Sequence, residues 1–308
     1  MQRGRKNKGR AIDGIVLLDK PAGLTSNAAL QQVKTLYEAA KAGHTGSLDP
    51  LATGVLPLCL GEATKVSGFL LESDKQYLVR VKLGQRTDTG DSEGSVIESA
   101  DASGITLKAV QEALEGFRGE IDQVPSMYSA IKKDGVPLYR LARKGVEVER
   151  KARTVTVFSL NLLSFKNQEL ELDIACSKGT YIRTIADDLG QELGCGAHVV
   201  ALRRVRVGEF NEQYCITIDA LQQTKDDAGF ENLDRFLIPM DEALGNLPEV
   251  RLPPVTADCV RHGQAVVVRH LPASGLVRLY EEEQFIGIGN INDDGKVAPR
   301  RLVVNGRN

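Results

Sequence analysis

The chain has 308 residues, of which 42% are hydrophobic and 26% charged, and its formal net charge is −2. This composition is typical of a globular protein with one large domain and room for a small one, and no apolar run approaches the roughly 18 residues of a membrane span. The five cysteines are scattered without a C-x-x-C pair, and the basic start at 1–10 lacks the apolar segment of a secretory signal. We therefore expect a protein of the reducing cytoplasm without disulfides, zinc or another metal.

The predicted elements mix strands and helices. Periodicity and capping residues place, in chain order, a strand at 14–18, a helix that Ser26 caps, a helix near 63–73, a strand at 76–83, a helix that Thr106 caps, a strand at 170–176, a helix at 182–193 and a strand region at 199–210. An acidic stretch at 224–234 predicts a loop, and the proline-containing stretch at 248–254 predicts a linker to a strand-rich end. Because there is no βαβ rhythm, the pattern indicates an α+β fold with a small C-terminal β module.

The most informative segment is the loop at 43–56, which reads Gly-His-Thr-Gly-Ser-Leu-Asp-Pro-Leu-Ala-Thr-Gly-Val-Leu. Its glycines let the backbone approach a ligand closely, and Pro50 biases Asp49 toward an extended conformation that aims the carboxylate. Local chemistry alone favours a surface turn in which Asp49 accepts hydrogen bonds from nearby amides. The whole block, however, resembles the catalytic motif of the bacterial tRNA pseudouridine synthases that act on the T-loop. The resemblance implies that Asp49 is catalytic and that His44 helps to organise the flipped-out bases.

Arg183 needs a partner, because a cation in the first turn of a predicted helix opposes the helix dipole. One candidate is Asp187, a turn further along, and the other is a distant carboxylate such as Asp49, which a guanidinium would keep ionised and directed. Residues 178–183 resemble the K-G-T-Y-I-R motif of the same family. The resemblance implies that Arg183 pairs with the catalytic aspartate.

Further segments carry the resemblance. Lys75-Gln76-Tyr77 is similar to the family's K-x-Y strand, which implies that Tyr77 stacks on the target uracil, although a core tyrosine is the ordinary interpretation of its apolar strand face. Lys20 lies in a segment similar to the family's D-K-P-x-G-x-T-S, near the active site. Tyr181 and Leu202 fall where the family lines its uracil pocket, and either fits an ordinary core position too. The implied fold is the pseudouridine synthase fold, a mixed, largely antiparallel sheet flanked by helices.

Positive charge is concentrated in a few places. Residues 132–153 contain eight cations and three acids, and smaller basic clusters lie at 1–10, 203–206 and 296–307. Each cluster alone fits a solvated face, but the four together favour a polyanionic partner. We expect an irregular insertion at about 125–153 to act as an RNA-binding thumb. Its predicted phosphate contacts are Lys132, Lys133, Arg140, Arg143, Lys144 and Arg150.

Two rival motifs fail. Asp88-Thr89-Gly90 matches the aspartic-protease triplet, but the sequence has no second copy to share a proton with it. The loop at 88–94 also lacks the residue order of a calcium-binding loop. It resembles a T-D-T-x-D element of the synthase family, which we interpret as structural. Because no Walker loop or dinucleotide fingerprint is present, we expect no cofactor.

The resemblance implies isomerisation of uridine 55 in the T-loop of tRNA to pseudouridine. Asp49 can add to the base, attack the sugar carbon or remove a sugar proton, and the sequence leaves these routes open. A non-catalytic RNA chaperone and a modifier of another RNA stem-loop are the alternatives. We expect a basic tail at 1–12, a catalytic domain at 13–247 and a PUA-like RNA-binding module at 248–308. The resemblance implies that the partner is the T-arm of tRNA, and we expect a monomer that needs neither a protein partner nor a membrane.

Overall fold

The computed structural model describes residues 9–129, 131–269, 271 and 274–304. Residues 1–8 of the predicted basic tail, and the end of the basic cluster at 296–307, lie outside the described residues. Within the described ranges, no helix is both long and apolar enough to cross a membrane.

The described residues form eighteen strands and seven α-helices. The strands are β1 (Gly14–Lys20), β2 (Ala42–His44), β3 (Thr53–Leu60), β4 (Lys75–Leu83), β5 (Gln85–Thr87), β6 (Val96–Ser99), β7 (Gly119–Gln123), β8 (Lys132–Lys133), β9 (Val136–Pro137), β10 (Arg153–Lys166), β11 (Glu169–Cys176), β12 (Ala197–Val207), β13 (Phe210–Asn211), β14 (Glu249–Leu252), β15 (Val266–Val267), β16 (Gly275–Glu281), β17 (Gln284–Ile291) and β18 (Lys296–Leu302). The helices are α1 (Ser26–Leu36), α2 (Ser67–Glu72), α3 (Leu107–Glu115), α4 (Leu138–Ala142), α5 (Ile182–Glu192), α6 (Ile218–Leu233) and α7 (Pro254–Arg261).

Nine strands form one mixed sheet in the order β1-β3-β12-β4-β11-β10-β7, with β2 paired to β3 and β13 to β12. Its strand pairs are antiparallel except for β3 and β12, which are parallel. Helices α1, α3, α5 and α6 share one hydrophobic core with the sheet, which includes Val33, Leu58 and Ile174. The expected α+β fold, a largely antiparallel sheet flanked by helices, is confirmed.

Strand β4 shows how the sequence pattern builds the region of the site. Its side chains alternate, so that Val79 and Val81 are buried while Leu78 is exposed. Tyr77 is in phase with the buried pair, and the strand register places it opposite Arg204 of β12. The alternation thus fixes which face of the sheet carries the tyrosine.

A second sheet, in the order β14-β16-β17-β18-β15, surrounds its own hydrophobic core near the C-terminus. The predicted linker at 248–254 was wrong, because this stretch contains the whole of β14, which pairs in parallel with β16, and the first residue of α7. Its apolar residues alternate with polar ones and pack into the second core. A shared apolar cluster that includes Val66, Leu244 and Ile288 joins this sheet to the rest of the chain.

The predicted loop at 224–234 was also wrong, because residues 224–233 belong to helix α6, which is kinked at Gly229 (φ 69°), and a 3-10 turn follows from Asp234. Thr217 caps the helix by accepting a hydrogen bond from the amide of Ala220 at 3.2 Å. The helix buries Leu221 and Leu233 and is otherwise largely polar. Its apolar positions are too few to give a helical period, which is why the sequence indicated a loop.

Candidate active site

A cleft with a volume of about 780 Å³ opens beside strands β4 and β12, within the size range of ordinary ligand sites. Its walls come from parts of the chain that lie far apart in sequence. Six of the seven residues predicted for catalysis or substrate binding line it: His44, Asp49, Tyr77, Tyr181, Arg183 and Leu202. The seventh, Lys20, lies outside the lining.

Asp49 and Arg183 form a two-point ion pair at this cleft. The Nε of Arg183 lies 3.0 Å from Oδ2 of Asp49, and its Nη2 donates to Oδ1 at 3.3 Å. The alternative partner, Asp187, is bound instead by Arg86, whose Nε lies 2.8 Å from its Oδ1. The Arg183 side chain is 6% exposed and that of Asp49 is 39% exposed. A buried guanidinium therefore directs a carboxylate that faces the cleft.

Arg183 is also held by the polar loop at 88–94 and by the start of the insertion. Its Nη1 donates to the carbonyl oxygen of Thr89 at 2.7 Å and lies 3.3 Å from Oδ2 of Asp91, and its Nη2 donates to the carbonyl oxygen of Tyr128 at 2.9 Å. Asp91, with a side chain 4% exposed, is a site residue that the sequence reasoning missed. The T-D-T-x-D resemblance was the available signal, but it indicated only a structural element.

The charges around Asp49 act in opposite directions. Burial raises the pKa of the Asp49 carboxyl above its ordinary value, Arg183 lowers it, Asp91 raises it and Lys20 lowers it. The arginine therefore opposes the largest influence, which is the loss of solvent around the carboxyl. The net effect is a raised pKa of the Asp49 carboxyl, and Arg183 makes that rise smaller than burial alone would give.

Lys20 is fully buried at the end of β1, next to the loop that carries Asp49. Its Nζ donates to the carbonyl oxygens of Pro21 at 2.7 Å, Leu24 at 2.6 Å and Pro50 at 3.4 Å. Burial lowers the pKa of the Lys20 ammonium to about 8, and the charge of Asp49 opposes that shift. The lysine therefore fixes the turn beside Asp49 and adds positive charge behind it.

Helix α1 fixes the same loop. The predicted cap was wrong by one residue, because Thr25 caps the helix through a hydrogen bond from the amide of Ala28 at 3.1 Å. Ser26 is buried, and its hydroxyl accepts from the amide of Leu48 at 2.7 Å and donates to the carbonyl oxygen of the same residue at 3.1 Å. This pair of bonds anchors the residue that precedes Asp49.

Arg204 is a second buried arginine at the cleft, with 2% of the residue exposed. Its Nε donates to the carbonyl oxygen of Val55 at 2.8 Å and its Nη2 to that of Gly46 at 3.4 Å. Arg203 pairs with two carboxylates on neighbouring segments. Arg204 is therefore not a surface cation, so the predicted polyanion surface at 203–206 was wrong for this residue. The Arg203 side chain is 34% exposed, and for it the polyanion contact stays a prediction.

Gly54 is required by the close approach of β3 to β12. It has φ +98°, and a Cβ at this position would lie 2.2 Å from the carbonyl oxygen of Arg204. The glycine of the sequence motif thus serves the parallel strand pairing next to the cleft.

Tyr77 and His44 both lie near Arg204 and are kept neutral. Burial raises the pKa of the Tyr77 phenol, an effect that Arg204 opposes. Burial lowers the pKa of the His44 imidazole, and Arg204 acts in the same direction. Within the described part of the chain, Nδ1 of His44 is buried without a hydrogen-bond partner. Both rings can therefore present uncharged faces to a planar ligand.

Tyr181 and Leu202 complete the lining. Tyr181 precedes α5, and its amide donates to Oε1 of the buried Gln123 at 3.0 Å, while Nε2 of Gln123 donates to the carbonyl oxygen of Tyr181 at 3.3 Å. Leu202 is 8% exposed and presents an apolar wall. These two residues offer ring and aliphatic surface rather than charge.

The insertion at 125–153 contains the β8–β9 hairpin, helix α4 and irregular chain. Five of its six predicted RNA-binding cations are exposed, and one of these, Lys132, also lines the cleft: Lys132, Lys133, Arg140, Arg143 and Lys144. Arg150 is different, because it donates to the carbonyl oxygen of Pro125 at 3.1 Å and pairs with Glu147 at 3.3 Å. Its contacts connect the two ends of the insertion.

Across the described ranges, no group of three or more His, Cys, Asp or Glu side chains is placed to hold a metal ion. The arrangement offers a directed carboxylate, two buried guanidinium groups and neutral aromatic surfaces. Such a site can act on a bound ring through acid–base or nucleophilic chemistry.

The chain is similar to known proteins over nearly its whole length. The family model described as "TruB family pseudouridylate synthase (N terminal domain)" matches residues 34–182, and two models for C-terminal parts of the same family match 183–245 and 248–303. The tRNA pseudouridine synthase B of Tolumonas auensis is 55% identical over 311 residues, covering 98% of this chain and 96% of the relative. That of Coxiella burnetii is 54% identical over 295 residues, covering 96% of each.

A solved structure gives the same result. A chain from the crystal structure of a Cbf5-Nop10-Gar1 complex superposes with a TM-score of 0.74 at 27% identity, covering 94% of this chain and 84% of that one. The resemblance that the motifs indicated is thus confirmed, and the similarity extends beyond the motifs to the second sheet. The chain belongs to the TruB family of pseudouridylate synthases.

Proposed function

We propose that this chain isomerises uridine to pseudouridine in the T-loop of tRNA, at position 55. The observation that carries the proposal is the Asp49–Arg183 pair facing the cleft, because the reaction needs a directed carboxylate beside a bound nucleotide. Relatives named tRNA pseudouridine synthase B, similar over nearly the whole chain, support tRNA as the substrate. The reaction breaks the N-glycosidic bond and forms a carbon–carbon bond to C5, so it needs no oxidant or energy source.

Asp49 is the catalytic residue in this proposal. Its carboxylate adds to the base, attacks the sugar carbon or removes a sugar proton, and each route begins from the ionised form. Arg183 supports that form, since its charge opposes the effect of burial on the pKa of Asp49. Asp91 and the carbonyl oxygens of Thr89 and Tyr128 hold Arg183 in the required orientation.

The target base must leave its stack to reach Asp49, which costs a few kcal/mol in this kind of recognition. Tyr77 offers a ring for stacking, and Tyr181 and Leu202 offer further surface on which the uracil can pack. His44 is neutral and carries an unpartnered ring nitrogen, which suits contact with a neighbouring base. Lys20 acts by fixing the turn next to Asp49.

The basic insertion is proposed to close over the RNA. Its exposed cations contact phosphates, and Lys132 does so at the cleft itself. We propose a catalytic domain at 13–247 and a PUA-like module at 248–308 that contacts the acceptor side of the tRNA. The protein acts as a monomer in the cytoplasm, where its substrate is.

The proposal is tested by incubating the protein with an unmodified tRNA transcript and mapping pseudouridine along it. We expect one product, at position 55. Tight binding without product would indicate an RNA chaperone instead. Product in another stem-loop would contradict the proposed position while leaving the chemistry intact.

A further inference from the structure

One ion pair at the mouth of the cleft plays no part in the function proposed above. Lys178, in the loop between β11 and α5, pairs with Glu72 at the end of α2. The side chains are 55% and 63% exposed, respectively. Such an exposed pair stabilises a fold by only about 0–1 kcal/mol, so it is easily exchanged for another partner.

The pair spans two walls of the cleft. Ser177 and Gly179, on either side of Lys178 in sequence, line the cleft, and so does Leu71, which precedes Glu72. Lys178 and Glu72 themselves do not belong to the lining, because their side chains meet each other at its edge. They therefore close the cleft on the side between α2 and the β11–α5 loop.

Beyond the pair lies a second cavity, of about 480 Å³. Its charged lining residues are mostly acidic: Glu72, Asp74, Glu209 and Glu242 against Arg206. An RNA backbone is repelled from such a surface, so the cation of Lys178 marks the boundary between space that accepts RNA and space that does not.

We propose that Lys178 is a further substrate-binding residue, which exchanges the carboxylate of Glu72 for a phosphate beside the flipped nucleotide when RNA enters. The inference depends on the proposed function, because a base extruded into the cleft brings its flanking phosphates to this rim. Lysine suits the role, since its ammonium binds phosphate as a point charge on a flexible stem. Glu72 then competes with the substrate in the free protein and limits binding.

The test measures the affinity of a T-arm hairpin for the unaltered protein, the two single variants Lys178→Gln and Glu72→Gln, and the double variant, over a range of salt concentrations. We expect Lys178→Gln to weaken binding roughly 3- to 10-fold and to make the salt dependence shallower by about one counterion. Glu72→Gln should tighten binding about two- to fivefold, because it releases the lysine. The double variant should bind RNA with nearly the same affinity as Lys178→Gln alone, because no lysine remains to be released.

Glu209→Gln is the matched control, because Glu209 is exposed and lines the acidic cavity without taking part in an ion pair of the described residues. If Glu209→Gln tightens binding as much as Glu72→Gln, or if the gain from Glu72→Gln persists in the Lys178→Gln background, the effect is general electrostatics and the inference is wrong. Unchanged affinity in the Lys178 variant also overturns it. Melting temperatures of all variants identify any that fail to fold.

Product formation by the unaltered protein is measured in parallel. If it makes no pseudouridine, the proposed function is wrong. If it makes pseudouridine while the variants bind like the parent, only the role of Lys178 is wrong.

Discussion

The floor of the cleft and the insertion both contain cationic side chains near the same space, but they hold them in different ways. At the floor, which we define as Asp49, Asp91, Arg183 and Arg204, each guanidinium is buried and bound to carboxylates or carbonyl oxygens. In the insertion, cations such as Lys132 are exposed. For the proposed function this difference assigns two tasks: buried, paired charge directs the reacting group, and exposed charge attracts a polyanion from solution.

The largest effect is expected from Asp49→Asn, which should separate catalysis at the floor from RNA binding by the insertion. The amide cannot act as nucleophile or base, so turnover should fall about 10⁴-fold. Its shape is preserved and the insertion is untouched, so RNA affinity should stay close to that of the parent. Single-turnover conversion of a tRNA transcript, together with filter binding, checks both halves. Retained turnover would exclude Asp49 from catalysis.

Arg183→Lys tests whether direction and charge can be separated at the floor. Lysine keeps the charge but loses the two-point contact, and we expect a loss in kcat/KM of about 10²-fold. Burial already raises the pKa of Asp49 and Arg183 opposes it, so weaker pairing should raise that pKa further. The acidic limb of the pH–rate profile should therefore move to higher pH. A pH series of kcat/KM measures the shift.

Arg86→Lys is the control for this experiment. Arg86 forms a similar two-point contact with Asp187 of the same helix, α5, but does not line the cleft. Arg86→Lys should therefore leave the acidic limb of the pH–rate profile at the same pH as in the unaltered protein. An equal shift in both variants would mean that the change reflects the stability of α5 rather than the orientation of Asp49.

The backbone of the floor can be tested with Gly54→Ala. The new Cβ would strike the carbonyl oxygen of Arg204 in a positive-φ conformation, so the free energy of unfolding should fall by about 3 kcal/mol. Gly119 is the control, because it has φ +80° but no atom within 4 Å of where a Cβ would lie. Gly119→Ala therefore measures only the cost of placing alanine at positive φ, which should lower the free energy of unfolding by about 1 kcal/mol. Urea unfolding gives both values. Equal losses would show that the close contact is relieved at no cost.

The smallest effect is expected in the insertion. Lys132→Ala combined with Arg143→Ala should weaken RNA binding about tenfold and reduce the magnitude of the salt slope by about 1.5, because two phosphate contacts are lost. Lys108→Ala with Lys166→Ala removes the same charge from exposed positions outside the insertion and should change the slope less. Binding isotherms at several salt concentrations decide the matter. An unchanged slope in the first variant would contradict phosphate contact there.

The sequence predicted the elements whose residues repeat with a clear period. Strand β11 was found because Leu170, Leu172 and Ile174 alternate with acidic residues, and helix α5 was found because its apolar residues share one face. Helix α6 was missed because it is polar on most sides and packs mainly through Leu221 and Leu233. The type of an element was thus predictable where its buried apolar residues recur with the period of a strand or a helix.

The site was predicted in part for a different reason. Asp49 and Arg183 are 134 residues apart. Charge reasoning left Asp49 and Asp187 as alternative partners of Arg183, and the motif resemblance favoured Asp49. Asp91 and Arg204 were not identified as buried site residues, because a charged residue in a polar loop or a basic cluster has the same local sequence whether it is exposed or covered. Their roles depend on which strands and loops meet in the fold, and that information is not local.

The saturation of Arg183 has a consequence for competing ions. All three of its guanidinium nitrogens already contact oxygen atoms of Asp49, Asp91, Thr89 or Tyr128. Inorganic sulfate or phosphate in a buffer therefore finds no open donor there, whereas the solvated ammonium groups of the insertion remain accessible to both. Such salts should therefore weaken the binding of RNA by competition, while the rate at which bound RNA is converted to product stays unchanged.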